Sequence, residues 1–108
     1  MNYRIEVTSY FKKDAKRLLK KYPSLKSELS ELIASLKTQP KQGTSIGNGC
    51  FKIRLAITSK GKGKSGGARI ITHVQVLQTK VFLLSIYDKS EQQNISDNDL
   101  LELVKLIT

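Results

Sequence analysis

A single cysteine, Cys50, has no partner for an internal disulfide, so this chain must be held together by packing and hydrogen bonds. That usage suits a reducing compartment. Long hydrophobic runs are missing too: the longest, Val81 to Leu84, falls far short of the roughly 20 residues that span a bilayer. The opening residues Met1 to Glu6 alternate polar and apolar and lack the apolar core of a signal peptide. These absences lead to an expectation of a cytoplasmic protein with no membrane attachment. The remaining shortage is of acid. Glu31 and Asp88 are consecutive acidic residues, and the 56 positions between them carry nine Lys or Arg and no Asp or Glu.

What is present is one domain's worth of patterned sequence. At 108 residues the chain suits a single domain over 1–108, and its 39% apolar content can supply a core. The formal charge of +10 favours anionic partners, RNA foremost, over a neutral surface.

Tyr3, Ile5 and Val7 recur at period 2 and predict a strand, after which Ser9 can cap a helix. Phe11, Ala15, Leu18, Leu19 and Tyr22 fall on one helical face, leaving Lys12, Lys13, Lys16, Arg17, Lys20 and Lys21 outside. Pro23 suits the first turn of a second helix, whose face is Leu25, Leu29, Leu32, Ile33 and Leu36 before Gln39-Pro40 stops it. Two such helices across a tight break predict an antiparallel hairpin that needs a common apolar partner.

Three antiparallel strands supply it: Ile53, Leu55 and Ile57; Ile70, Thr72, Val74 and Val76; and the nearly all-apolar 81–86, expected inside the sheet. A glycine-lysine loop at 59–67 and a turn near Leu77–Lys80 join them. Ser96-Asp97-Asn98-Asp99 has the form of a capping box opening a last helix with Leu100, Leu101, Leu103, Val104 and Ile107. The predicted fold is α+β, in the order β-α-α-β-β-β-α, with a helix hairpin on a small, mainly antiparallel twisted sheet.

Several chemistries fail on context. Gly61-Lys62-Gly63-Lys64-Ser65-Gly66 has the spacing of a dinucleotide fingerprint, yet a strand rather than a helix follows it. No cofactor is therefore expected. His73 is the only histidine; it is a candidate acid or base but lacks the partners that a metal site or nucleophilic triad requires, so no metal is expected. Cys50 reads as a small buried hydrophobe. By alternation, Lys52 and Arg54 share one strand face, Arg69 and His73 another, and Ser85, Tyr87 and Lys89 a third. If the other faces meet the helices, Lys52, Arg54, Arg69, Tyr87 and Lys89 form a basic patch, with Lys60, Lys62 and Lys64 on the loop as docking charge for phosphates.

Phe51-Lys52-Ile53-Arg54-Leu55, then Gly67-Ala68-Arg69-Ile70-Ile71, then the stretch from Val81 to Glu91, behind a lysine-rich helix hairpin, together resemble the RelE/ParE superfamily of bacterial toxins, most of all its RelE and HigB-like members. The resemblance implies a toxin of a type II toxin-antitoxin system: a ribosome-dependent mRNA endonuclease that blocks translation. Its implied partners are the ribosomal A site, mRNA and a cognate antitoxin with an acidic or amphipathic neutralising segment, through which the complex would bind operator DNA. It places Lys52, Arg54, Arg69, Tyr87 and Lys89 at the catalytic positions. Lys60, Lys62, Lys64, Lys12, Lys13, Lys16 and Arg17 would then contact RNA or ribosome. The chain departs from the pattern in having no tyrosine after Tyr87. A ParE-like inhibitor of DNA gyrase and a non-cleaving RNA-binding module are the alternatives.

Overall fold

The structure is a computed structural model that describes residues 2–61, 63 and 66–107. Strand β1 (Arg4–Val7) runs directly into helix α1 (Ser9–Lys21), followed by α2 (Leu25–Leu36). Then come β2 (Thr44–Gly47), β3 (Cys50–Leu55), a 3₁₀ turn at Thr58–Lys60, β4 (Ala68–Gln75), β5 (Lys80–Asp88) and α3 (Asp97–Lys105). The strands form one mixed sheet in the order β1-β5-β4-β3-β2, with β1 parallel to β5 and the other pairings antiparallel. The fold is α+β as predicted, with the last of the three expected strands inside the sheet.

Both helices of the hairpin form because their apolar residues repeat at helical spacing. Phe11, Ala15, Leu18 and Tyr22 of the first helix and its exit, and Leu25, Leu29, Leu32 and Leu36 of the second, close on Ile53, Ile57, Ala68, Ile70, Leu83 and Ile86. Each fully buried leucine there contributes about 1.5–3 kcal/mol. The N-cap of α1 is Thr8 rather than Ser9: its hydroxyl oxygen accepts from the Phe11 amide at 3.3 Å and donates to the Leu83 carbonyl at 2.8 Å. The cap therefore also welds α1 to β5. Pro23 lies just ahead of the α2 N-cap, Ser24, and not within its first turn.

One strand was not expected. β2 pairs with β3 through a turn in which Asn48 and Gly49 both have positive φ, the two-residue geometry that matches strand twist. The opposite sheet face also departs from expectation. It is not an open basic surface, because α3 lies on it and Leu100 packs with Cys50, Ile71, Leu84 and Tyr87. Ser96 caps α3 as predicted, accepting from the Asp99 amide at 3.1 Å. Among the described residues no helix is long and apolar enough to cross a membrane.

In the β4–β5 ladder Ile71 pairs with Ser85 while Thr72 pairs with Leu83, so Leu84 is an extra residue. Beyond it Lys89 extends the ladder, its amide donating to the Gly67 carbonyl at 3.0 Å. Gly67 is required there: a Cβ would sit 2.1 Å from the Leu55 carbonyl oxygen. Gly67→Ala should lose about 1–3 kcal/mol or more, the usual cost of overpacking, read as a lower urea midpoint at unchanged slope.

Candidate nucleic-acid interface

Pairing across three strands builds the centre of the site. Arg54 on β3 is the register partner of Arg69 on β4, and Arg69 is the partner of Tyr87 on β5. At about 4.8 Å between neighbouring strands, these side chains rise from one sheet face in a row about 10 Å long. Lys52 stands two residues along β3 from Arg54, in the row of Ile71 and Ser85.

Their environments differ. Arg54 is exposed and makes no ion pair among the described residues. Arg69 is only 4% exposed, and its guanidinium donates to the Ala68 carbonyl at 3.1 Å. Tyr87 is 5% exposed, and its hydroxyl has no hydrogen-bond partner among the described residues. Burial pushes the Tyr87 pKa up, with the nearby Arg69 charge opposing. A buried hydroxyl without a partner among the described residues, beside the Arg69 guanidinium and two strands from Arg54, is an arrangement that an incoming phosphate oxygen would complete.

Residues 92–95, between β5 and α3 and absent from the sequence reasoning, frame the site. Lys52 Nζ donates to Asn94 Oδ1 at 3.3 Å, and Lys89 Nζ donates to the Gln93 carbonyl at 2.8 Å. Both lysines thus rest on neutral acceptors and make no ion pair among the described residues. No sequence pattern marks these contacts, since Gln93 and Asn94 read as ordinary loop residues.

Other predicted residues lie apart. His73 is four positions from Arg69, about 13 Å along the strand. It is buried, lies 3.6 Å from the Cys50 sulfur and has its pKa lowered by burial, against a backbone hydrogen bond at Asn48. Burial pushes the Cys50 thiol up to about 11. Lys12, Lys13 and Lys16 are exposed on α1, while Arg17 donates two hydrogen bonds to the Glu91 carboxylate at 3.0 and 3.1 Å. Lys62 and Lys64 lie outside the described residues. Lys60 does not point outward as docking charge: its side chain is 9% exposed, and its ammonium bonds Asp88 and, at 3.0 Å, Ser90 Oγ.

Asp88, on the hairpin side of β5, is fully buried. Burial alone would raise its pKa, but hydrogen bonds from Lys60, Tyr22 and Ser90 hold the carboxyl well below the usual carboxylate range. The sequence clue was that Asp88 ends the acid-free stretch. Among the described residues no group of three His, Cys, Asp or Glu could hold a metal ion.

The family model for the RelE toxin of the RelE/RelB toxin-antitoxin system matches residues 4–108. The chain belongs to the RelE toxin family. Solved RelE structures share its fold. A double arginine-to-alanine variant of E. coli RelE in the free state superimposes with a TM-score of 0.63 at 18% identity, covering 100% of both chains. A metal-bound toxin from Helicobacter pylori gives 0.53 at 22% identity, covering 85% of this chain and 99% of that one. The E. coli variant bound to a peptide of its RelB antitoxin gives 0.50 at 19%, covering 94% of each.

The depressed Asp88 carboxyl adds to the acid sensitivity of this RelE family member, alongside Glu28 and Glu91, whose hydrogen bonds also hold them low. Its contribution to stability is fully present above the unfolded-chain value of about 3.9 and is lost as the pH falls from there through the folded value. Urea melts should therefore show wild-type stability dropping steeply below about pH 4. Asp88→Asn should start lower at neutral pH and show a flatter acid limb.

Proposed function

We propose that this RelE family member is the toxin of a type II toxin-antitoxin pair and cleaves mRNA on the ribosome. The observation that carries this reading is the Arg54–Arg69–Tyr87 row, two cations and an unpartnered buried hydroxyl on adjacent strands. A cleavable phosphodiester fits its chemistry. The ribose 2′-OH loses its proton and attacks the adjacent phosphorus; the phosphorus–5′-oxygen bond breaks, leaving a 2′,3′-cyclic phosphate and a protonated 5′-oxygen.

The guanidinium groups of Arg54 and Arg69 oppose the charge that builds on the phosphoryl oxygens. Tyr87, its pKa raised by burial, keeps its proton and donates a hydrogen bond to one of those oxygens. Lys52, in its neutral amine form, is the group placed to take the 2′-OH proton, and Lys89, as an ammonium, gives one to the leaving oxygen. Lys12, Lys13 and Lys16, on the outer side of α1, add attraction for the ribosomal phosphates without touching the reacting atoms. A cognate antitoxin segment carrying acid would silence the protein by neutralising the row. The RelE–antitoxin peptide complex supports such a partner.

Induction of the protein followed by mapping of 5′ ends on translated messages should show cuts within codons. Arg54→Ala, at an exposed position, should fold normally and lower the single-turnover cleavage rate by about 10²–10³-fold, the scale of one lost oxyanion donor. Arg69→Ala should abolish cutting. A folded Arg69→Ala protein that cuts at wild-type rate, or DNA damage signalling in place of message cleavage, overturns the proposal.

A further inference from the structure

We infer that Asp88, Lys60 and Tyr22 form a buried positioning network for the proposed RNA site, and that Lys60 acts inside the protein rather than on RNA. The inference rests on the cleavage reading for its kinetic consequence but on geometry for its existence.

Asp88 accepts from four donors: the Tyr22 hydroxyl, Lys60 Nζ, the Ser90 amide at 2.9 Å and the Ser90 hydroxyl at 2.7 Å. Lys60 Nζ also lies 5.7 Å from the centre of the Tyr22 ring, within range of a cation–π contact. The three groups come from α1's exit, the 3₁₀ turn and the end of β5, and Lys21 of α1 adds an ion pair to Asp88 at 3.9 Å. From the other side, Glu28 on α2 accepts from the Thr58 amide at 2.8 Å and its hydroxyl at 2.6 Å, and the Ser59 amide donates to Ser24 Oγ at 2.9 Å. The 3₁₀ turn is thus clamped between two helices and the strand.

Strand alternation carries this grip to the site. With Asp88 fixed on the hairpin side, Tyr87 must face the cationic row. The Asp88 carbonyl accepts from the Glu91 and Gln92 amides, both at 3.0 Å, forming the turn that brings Lys89 to Gln93 and Asn94 to Lys52. A buried ion pair is seldom a better stabiliser than apolar residues of the same volume. What a set of directional bonds adds is a unique orientation of the groups attached to it.

Wild type, Lys60→Met, Lys60→Arg, Tyr22→Phe, Asp88→Asn and the Asp88→Asn/Lys60→Met double variant are compared on translating ribosomes after circular dichroism has established folding. Lys60→Met and Tyr22→Phe should cut about ten- to a hundredfold more slowly at saturation, as misplacement of reacting groups by a fraction of an ångström does, with half-saturating concentration unchanged. Lys60→Arg should recover part of the rate. The double variant should lose less than the sum of its single changes. The salt dependence of binding to a short single-stranded RNA should match wild type for Lys60→Met. A slope shallower by about 0.7 would mean that Lys60 contacts a phosphate, and overturns the inference.

A second readout separates this network from the cleavage reading. If wild type cuts no message, that reading falls. The network is still decided by the NMR signals of the Tyr87 ring and the Lys89 amide. These should shift in Lys60→Met while those of His73 stay in place; unmoved Tyr87 and Lys89 signals overturn it.

Discussion

Everything in this molecule depends on β4 and β5 being covered on both faces. Ile70, Leu83 and Ile86 meet the helix hairpin, and Ile71, Leu84 and Tyr87 meet α3. Two covered faces leave little solvent to screen or solvate a polar group placed between them. Arg69, Tyr87 and Asp88 sit in this setting, each in a different state of satisfaction. Asp88 is saturated with donors and serves structure. Tyr87, whose hydroxyl has no partner among the described residues, is where the fold has left bonding capacity for something else.

The same covered sheet brings like charges together. Placing Arg54 directly opposite Arg69 sets like charges across a strand pair, which is unfavourable by itself. The sheet offsets this through its two apolar layers. A phosphate backbone, or an acidic segment of a partner, would add opposite charge at this pair.

Much of this was legible in the sequence. Both hairpin helices and four of the five strands follow from periodicity, because each buries one regular stripe, and the Ser96 cap follows from its capping pattern. β2 was missed since Thr44, Ser45 and Gly47 are exposed and only Ile46 is half-buried, which is too little to make a pattern; Asn48-Gly49 was the available signal for it. The Arg54–Arg69 pair follows from alternation once the strands are paired. Lys60 could not be assigned that way, because composition gives the number of charges in a glycine-lysine loop but not their direction. Its partner lies 28 residues away on another element. The cover supplied by α3 was equally hidden, since an amphipathic helix does not say which surface it will choose.

The extra residue at Leu84 has a further consequence. Up to Leu83 the outward and inward positions of β5 keep one phase, and after Ser85 they keep the opposite one, so the strand changes step in its middle. Without that change, Ile86 would stand opposite Arg69, Tyr87 would turn toward the helices, and Asp88 would bring its carboxylate to the cationic face. One inserted leucine decides whether the row of arginines meets a phenol or is neutralised from within. The protein's anion-binding character is thus a matter of parity as much as of charge.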